Sequence, residues 1–168
     1  MNYLTTILAT THAKEKFACG NFYLDEYIKK QAKQDFKAKV AVCFVITDEN
    51  KIVKGYYTLS NGSIPRDQLP ESIIQKLPKY KDLPVTLLGR LAIDTRYQGQ
   101  KLGQSLLIDA LRRSFEASAA SIASMAVIFD PIDAQAIEFY AKFGFIKLPG
   151  SGRMFLPMAT IAGLFNAH

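Results

Sequence analysis

The sequence predicts an α/β (α+β) protein in which a central mixed sheet is flanked by helices. Two observations support this fold class: an early β-hairpin pattern, and later apolar strands that alternate with amphipathic helices. The chain has 168 residues, 49% of them hydrophobic, which is enough for one proper core. We therefore expect a single domain over residues 1–168.

The first predicted helix begins at Asn21, which can cap it, after Gly20, which lets the chain turn. Its apolar face comprises Leu24, Tyr27, Ile28 and Ala32. Its lysines lie toward the other faces and include Lys29, Lys30, Lys33 and Lys37. Charge alone favours a solvated lysine face on a surface helix, with RNA binding as the alternative.

Strands are predicted where β-branched and aromatic residues cluster. VAVCFVIT at 40–47 and IVKGYYTLSNGSI at 52–64 form the hairpin. PVTLLGRLAID at 84–94 is apolar on both faces and is therefore a central strand. IASMAVIF at 122–129 is another buried strand, and MFLPMAT at 154–160 is the last, before a short tail.

Three further helices are predicted between and after these strands. Residues 65–84 form a loop with one short helix near 71–76. Leu102, Leu106, Leu107, Ala110, Leu111 and Phe115 recur at helical spacing, which predicts a core-facing helix to about Ala119. A later helix has Asp133 as a cap candidate and Gly144 as its C-terminal stop.

The composition narrows the class of protein. The net charge of +6 and the pI near 9.3 favour contact with a polyanion. Cys19 and Cys43 lack metal-ligand spacing and His12 and His168 are the only histidines, so we expect reduced thiols and no metal. No apolar run reaches membrane-spanning length and no signal peptide is evident, so we expect a cytoplasmic protein.

The stretch YQGQKLGQSLL at 97–107 joins the central strand to a helix. Glycines immediately before a helix free backbone N–H groups to point at an anion, so the loop is a candidate phosphate cradle. The candidate residues are Gln98, Gly99, Gln100, Lys101, Leu102, Gly103 and Gln104.

The order of strand, glycine loop, helix and strand, followed by FYAKFGF at 139–145, resembles the GNAT acyltransferases, which use acetyl-CoA. The resemblance implies the GNAT fold, with a mostly antiparallel central sheet, and a pyrophosphate bound at the loop. Lys101 departs from the family's loop motif, which has glycine there. The resemblance also implies that the backbone of Leu91, Ala92 and Ile93 pairs with the pantetheine amides.

The same resemblance makes Tyr140 the general acid that protonates the departing CoA thiolate. A phenol with a pKa of about 10 stays protonated at neutral pH, and a thiol has a pKa of about 8.5. Asp133 either contacts the cofactor or only caps its helix. The oxyanion is expected on a backbone N–H within residues 91–93.

The acceptor must present an uncharged amine. A lysine amine, with a pKa of about 10.4, needs a base, whereas an α-amino group near 7.7 is partly neutral already. No base is obvious, although Glu71 or Asp94 remain open as sources.

The segments FACGNFYLDEYIKKQA at 17–32, LGRLAID at 88–94 and FYAKFGF are similar to the GNAT toxins of bacterial toxin–antitoxin modules. This resemblance implies acetylation of the α-amino group of aminoacyl-tRNA, which blocks translation. It also implies a ribbon-helix-helix antitoxin, a homodimer, and contact with operator DNA only through the antitoxin complex. The candidate RNA-binding residues are then Lys29, Lys30, Lys33, Lys37, Arg90 and Arg96.

Two other hypotheses stay open at the level of sequence. One is a GNAT N-acetyltransferase that acts on a small amine or a protein lysine, with the lysine helix merely solvated. The other is a non-catalytic regulator that binds nucleic acid or a protein partner and has kept the fold, for which Lys101 is the best indication.

Overall fold

A computed structural model describes residues 2–165 of the chain. The strands are β1 Thr6–Ile7, β2 Val42–Thr47, β3 Val53–Pro65, β4 Asp82–Ile93, β5 Ala126–Phe129, β6 Ile146–Lys147 and β7 Met154–Pro157. The α-helices are α1 Phe22–Glu26, α2 Ala32–Lys37, α3 Glu71–Ile74, α4 Leu102–Ala120, α5 Ala134–Ala141 and α6 Met158–Phe165. His168 lies outside the described residues.

The seven strands form one sheet in the order β1-β2-β3-β4-β5-β7-β6. β2 pairs with β1 and β3 in antiparallel fashion, and β7 pairs with β5 and β6 in the same way. β4 and β5 are parallel, in the register Thr86↔Val127 and Leu87↔Ile128. The prediction of a mixed, mostly antiparallel sheet flanked by helices is therefore confirmed.

The chain contacts divide into two compact units, and β3 and β4 each contribute to both. The first unit contains the residues up to Ser60 and Leu88–Leu111, and its core includes Phe17, Tyr27, Ile28 and Tyr56. The second contains Asn61–Leu87 and the residues from Arg112 onward, and its core includes Ile64, Val85, Ile128 and Phe155. The single domain over residues 1–168 stays a prediction.

The first helical segment, residues 22–37, differs from the uninterrupted helix that the sequence predicts. Asn21 caps α1 as expected, accepting from the Leu24 N–H at 3.1 Å. A π-helix over Tyr27–Gln31 then separates α1 from α2, and the Ala32 N–H donates to the Tyr27 carbonyl. The wider turn of the π-helix keeps Tyr27, Ile28 and Ala32 in the core. The burial of these side chains therefore takes precedence over the regular α-helical period.

The end of the chain corrects a second prediction. Only Met154–Pro157 of MFLPMAT is a strand, and Met158 begins α6. Pro157 has no N–H for a longer ladder, and α6 buries Met158 and Ile161. β5 likewise begins at Ala126 rather than at 122.

Among residues 2–165, no helix is both long and apolar enough to cross a membrane.

Candidate functional site

The end of β4 is held by Asp94, which is buried and follows the three residues predicted to pair with the cofactor. Its carboxylate accepts from the Ala18 N–H at 3.2 Å and the Arg96 N–H at 3.0 Å, and it pairs with Arg96 Nε at 2.9 Å. Burial alone would raise the pKa of Asp94, but these donors lower it below its ordinary value. Asp94 therefore anchors the turn after β4, and a carboxylate engaged in this way is a poor general base.

The side chain of Gln98 connects the candidate cofactor loop to the end of β4. Its side-chain amide donates to the Ile93 carbonyl at 2.8 Å and to the Cys19 carbonyl at 2.9 Å. These two bonds fix where the loop leaves β4 and leave its backbone as the part free to meet a ligand. Gln98 thus has a positioning role in the structure, and its contact with acetyl-CoA stays a prediction.

Lys101 occupies the left-handed region with φ 63°, close to the value of 79° at Gly99. Its carbonyl accepts the Ser105 N–H at 3.2 Å, so Lys101 precedes the first turn of α4. Lys101 therefore adopts a backbone conformation that glycine adopts without strain, at a cost of about 1–2 kcal/mol for a lysine.

The first turn of α4 contains Leu102, Gly103 and Gln104. The first N–H groups of any helix have no intrahelical partner, and the dipole of α4 adds partial positive charge at this end. Gly99, Gln100 and Lys101 are exposed just before it. This chemistry fits a pyrophosphate, as the sequence predicts.

Tyr140 lies on α5, only 3% exposed, inside an aromatic cluster of the second unit. Its ring stacks on Phe129 with centroids 4.0 Å apart and contacts Phe139 and Phe145 edge-on at 5.1 and 5.4 Å. Its hydroxyl makes no hydrogen bond to any residue in the described part of the chain. Burial raises the pKa of Tyr140 above its ordinary value, so the phenol holds its proton across the physiological range.

Asp133 caps α5, because its Oδ1 accepts the Ala136 N–H at 2.8 Å. Capping, one of the two roles considered for this residue, is thus what the structure shows, and a cofactor contact stays a prediction.

Arg90 projects from β4 onto the first helical segment. Its guanidinium lies 3.6 Å from the centroid of the Tyr27 ring, and Nη1 is 3.4 Å from Thr58 Oγ1. No carboxylate pairs with Arg90 among residues 2–165. The Tyr27 hydroxyl donates to Asp35 at 2.9 Å, which fixes the ring beneath the cation.

The remaining candidate RNA-binding residues differ in their pairing. Arg96 is committed to Asp94, and Lys30 pairs with Glu26 at 2.7 Å. Within the described residues, Lys29, Lys33 and Lys37 have no acidic partner, and Lys33 and Lys37 are exposed. These three lysines supply unneutralised positive charge on the first helical segment.

Nothing in the local sequence pattern links Tyr27 to its partner Arg90, because the two residues are far apart in the chain. The same pattern indicated no role for Phe22 and Tyr23, which are exposed on α1. The available signal was two aromatic residues directly after a helix cap.

The sequence matches the family described as acetyltransferase (GNAT) domain over residues 39–147. It is 32% identical to a probable TacT toxin of Sinorhizobium fredii, with 92% of this chain and 90% of that protein covered. It is 35% identical to a tRNA-acetylating toxin of Mycobacterium tuberculosis, with 77% and 75% covered.

The solved structures that resemble this chain are also toxin structures. AtaT complexed with acetyl-methionyl-tRNAfMet is similar with a TM-score of 0.88 at 29% identity, covering 98% of this chain and 99% of that one. Similar structures also include AtaTR bound with AcCoA and the AtaT–AtaR complex bound to DNA. The resemblance to GNAT toxins is therefore confirmed, and the chain belongs to the GNAT acetyltransferase family.

Proposed function

We propose that this protein transfers the acetyl group of acetyl-CoA to the α-amino group of aminoacyl-tRNA and so blocks translation. Family membership supports acetyl transfer, and the relatives named for tRNA acetylation support the acceptor class. The acceptor chemistry agrees, because an α-amino group near pKa 7.7 requires less help from a base than a lysine does. No step requires a metal ion.

The Tyr140 hydroxyl is the observation that carries the catalytic proposal. It is a protonated donor without a hydrogen-bond partner among residues 2–165, and its ring lies in a packed aromatic cluster. As the acceptor nitrogen bonds to the acetyl carbon, a backbone N–H within Leu91–Ile93 stabilises the oxyanion. Tyr140 then gives its proton to the sulfur as the carbon–sulfur bond breaks, the new amide nitrogen releases one proton to water, and water returns one proton to Tyr140.

The loop from Gln98 to Gln104 holds the pyrophosphate through its backbone N–H groups and the start of α4. Lys101 adds a positive charge that a glycine would not supply. The lysines of the first helical segment, with Arg90, supply the positive surface for the RNA backbone, whereas the charge of Arg96 is paired with Asp94.

The partners follow from the same comparisons. The structures of AtaT with the C-terminus of the antitoxin AtaR and of the AtaT–AtaR complex bound to DNA support neutralisation by an antitoxin, with DNA bound through that complex. We propose that this antitoxin is a ribbon-helix-helix protein and that the DNA is its operator. We propose a homodimer that acts in the cytoplasm, where its tRNA substrate is.

Transfer of labelled acetyl from acetyl-CoA to a pool of charged tRNA tests this function. We expect label on charged tRNA and none on uncharged tRNA, and ribonuclease should remove the labelled product. Label on free amines or protein lysines, with none on charged tRNA, would overturn the proposed acceptor. A protein that binds acetyl-CoA but labels nothing would instead support the regulator hypothesis.

A further inference from the structure

Two aromatic side chains stand exposed side by side at the start of α1. Phe22 is 69% exposed and Tyr23 is 81% exposed, so neither contributes to the core. Their ring centroids are 5.8 Å apart with an interplanar angle of 76°. An edge-to-face contact of this kind leaves other ring faces open for stacking.

The helical segment that carries this aromatic pair also carries Lys29, Lys30, Lys33 and Lys37. Glu26 follows Phe22 by one turn, and its contact with Lys30 places that lysine on the same side of the segment. The acids of the segment are already engaged: Asp25 with the Cys19 N–H, Glu26 with Lys30, and Asp35 with Tyr27 and Gln31.

Lys29, Lys33 and Lys37 therefore remain without acidic partners in the part of the chain that the structure describes. Exposed aromatic rings at the start of a segment that carries unpaired lysines further along suit a polyanion that has open base faces. A protein partner suits them less well, because lysine is depleted at protein interfaces.

We infer that Phe22 and Tyr23 are a stacking platform for the unpaired nucleotides at the 3′ end of the tRNA acceptor arm. Only unpaired nucleotides offer their base faces to aromatic rings, since bases within a duplex are stacked on each other. The lysines further along the same segment bind phosphates of the tRNA. This inference rests on the proposed function, because it assumes that tRNA is the acceptor.

The test is a thermodynamic cycle on binding, so that it does not depend on catalysis. Dissociation constants are measured for uncharged tRNA with its unpaired 3′ nucleotides intact and with them trimmed. The proteins are the unmodified chain and the double variant Phe22→Leu/Tyr23→Leu, which keeps apolar bulk but removes the aromatic rings.

Because base–aromatic stacking contributes about 1–3 kcal/mol per base, we expect trimming to weaken binding by the unmodified protein at least fivefold. The double variant should show the same loss with intact tRNA and less than a twofold further loss on trimming. If trimming the tRNA weakens binding by the double variant as much as it weakens binding by the unmodified protein, the two effects are independent and the inference is overturned. An unchanged affinity of the double variant for intact tRNA would also overturn it.

Two controls make the result specific. The swap Phe22→Tyr/Tyr23→Phe keeps both rings and should keep affinity. Tyr80→Leu removes another exposed aromatic residue, 67% exposed, in the second unit and should leave binding unchanged. Loss of dimer on sedimentation of the Leu variant would assign the pair to a protein interface and overturn the inference.

Failure of the inference is distinguishable from failure of the proposed function. If the unmodified protein acetylates charged tRNA but the cycle shows independent losses, only the stacking platform is wrong. If it acetylates no charged tRNA, the proposed function itself is wrong.

Discussion

The guanidinium of Arg90 lies 3.6 Å from the centroid of the Tyr27 ring, which joins β4 to the π-helical turn of the first helical segment. The Tyr27 hydroxyl donates to Asp35 at 2.9 Å, so the ring is held from its other end as well. This contact connects the strand predicted to bind acetyl-CoA with the segment that carries the lysines.

Replacing Arg90 tests that connection. A cation over an aromatic face contributes about 0.5–2 kcal/mol, so Arg90→Gln should lower the free energy of unfolding by about 1 kcal/mol. Urea unfolding followed by circular dichroism measures the change. Tyr27→Leu should cost at least as much, and a double variant that costs the simple sum of the two would show that the pair does not interact.

Tyr140→Phe should lower turnover on charged tRNA by at least about 100-fold, because general acid catalysis contributes about 10²–10⁴-fold. Its hydroxyl makes no hydrogen bond within the part of the chain that the structure describes, so thermal stability and acetyl-CoA affinity should change little. Single-turnover kinetics and calorimetric binding measure the two quantities. Unchanged turnover would remove Tyr140 from the mechanism.

Two substitutions at Lys101 distinguish the effect of its backbone strain from the effect of its charge. Lys101→Gly relieves the left-handed strain but adds disorder to the unfolded chain, so we expect a net gain of about 0.5–1 kcal/mol in unfolding free energy. Lys101→Ala keeps the strain and removes the charge. If the charge contributes to pyrophosphate binding, both variants should bind acetyl-CoA more weakly than the unmodified protein, and equal affinity of all three would contradict that contribution.

The buried thiol of Cys43 gives a pH dependence with a defined sign. Burial raises its pKa from the ordinary 9.0 to about 12, partly offset by Arg90 and Lys14. The unfolded thiol loses its proton first, so the stabilisation is complete below pH 9 and is lost as the pH rises toward 12.

Unfolding free energy should therefore fall above pH 9 by up to about 1.4 kcal/mol per pH unit from this group. Cys43→Ala should be less stable at neutral pH yet show a shallower alkaline slope than the unmodified protein. Matching slopes in the two proteins would mean that the thiol does not contribute.

Much of the fold was predictable because local patterns agree with the tertiary structure. The hairpin, the central strand, α4 and α5 with its Asp133 cap all appear where their apolar periods and caps predict them. The short strands β1 and β6 were not predicted, because two residues carry no period and become strands only through their neighbours β2 and β7.

The candidate site was predictable in its residue types but not in its arrangement. The motif placed a loop before α4, yet only the structure shows that Gln98 is bound to the Ile93 and Cys19 carbonyls. Asp94 could serve as a base on sequence grounds, and only its four hydrogen bonds, from the Ala18 N–H and from Arg96, show that it is committed to the turn.

The amino-acid sequence is sufficient to predict the alternation of strands and helices, the cofactor-loop motif and the tyrosine of FYAKFGF, since periodicity, capping and motif spacing are local properties. Only the three-dimensional structure shows the π-helical turn at Tyr27, the left-handed conformation of Lys101 and the stack of Arg90 on Tyr27. These features depend on the surrounding fold, through packing and contacts among residues that are distant in the chain or through the backbone conformation that the fold requires. A local sequence pattern does not contain that information.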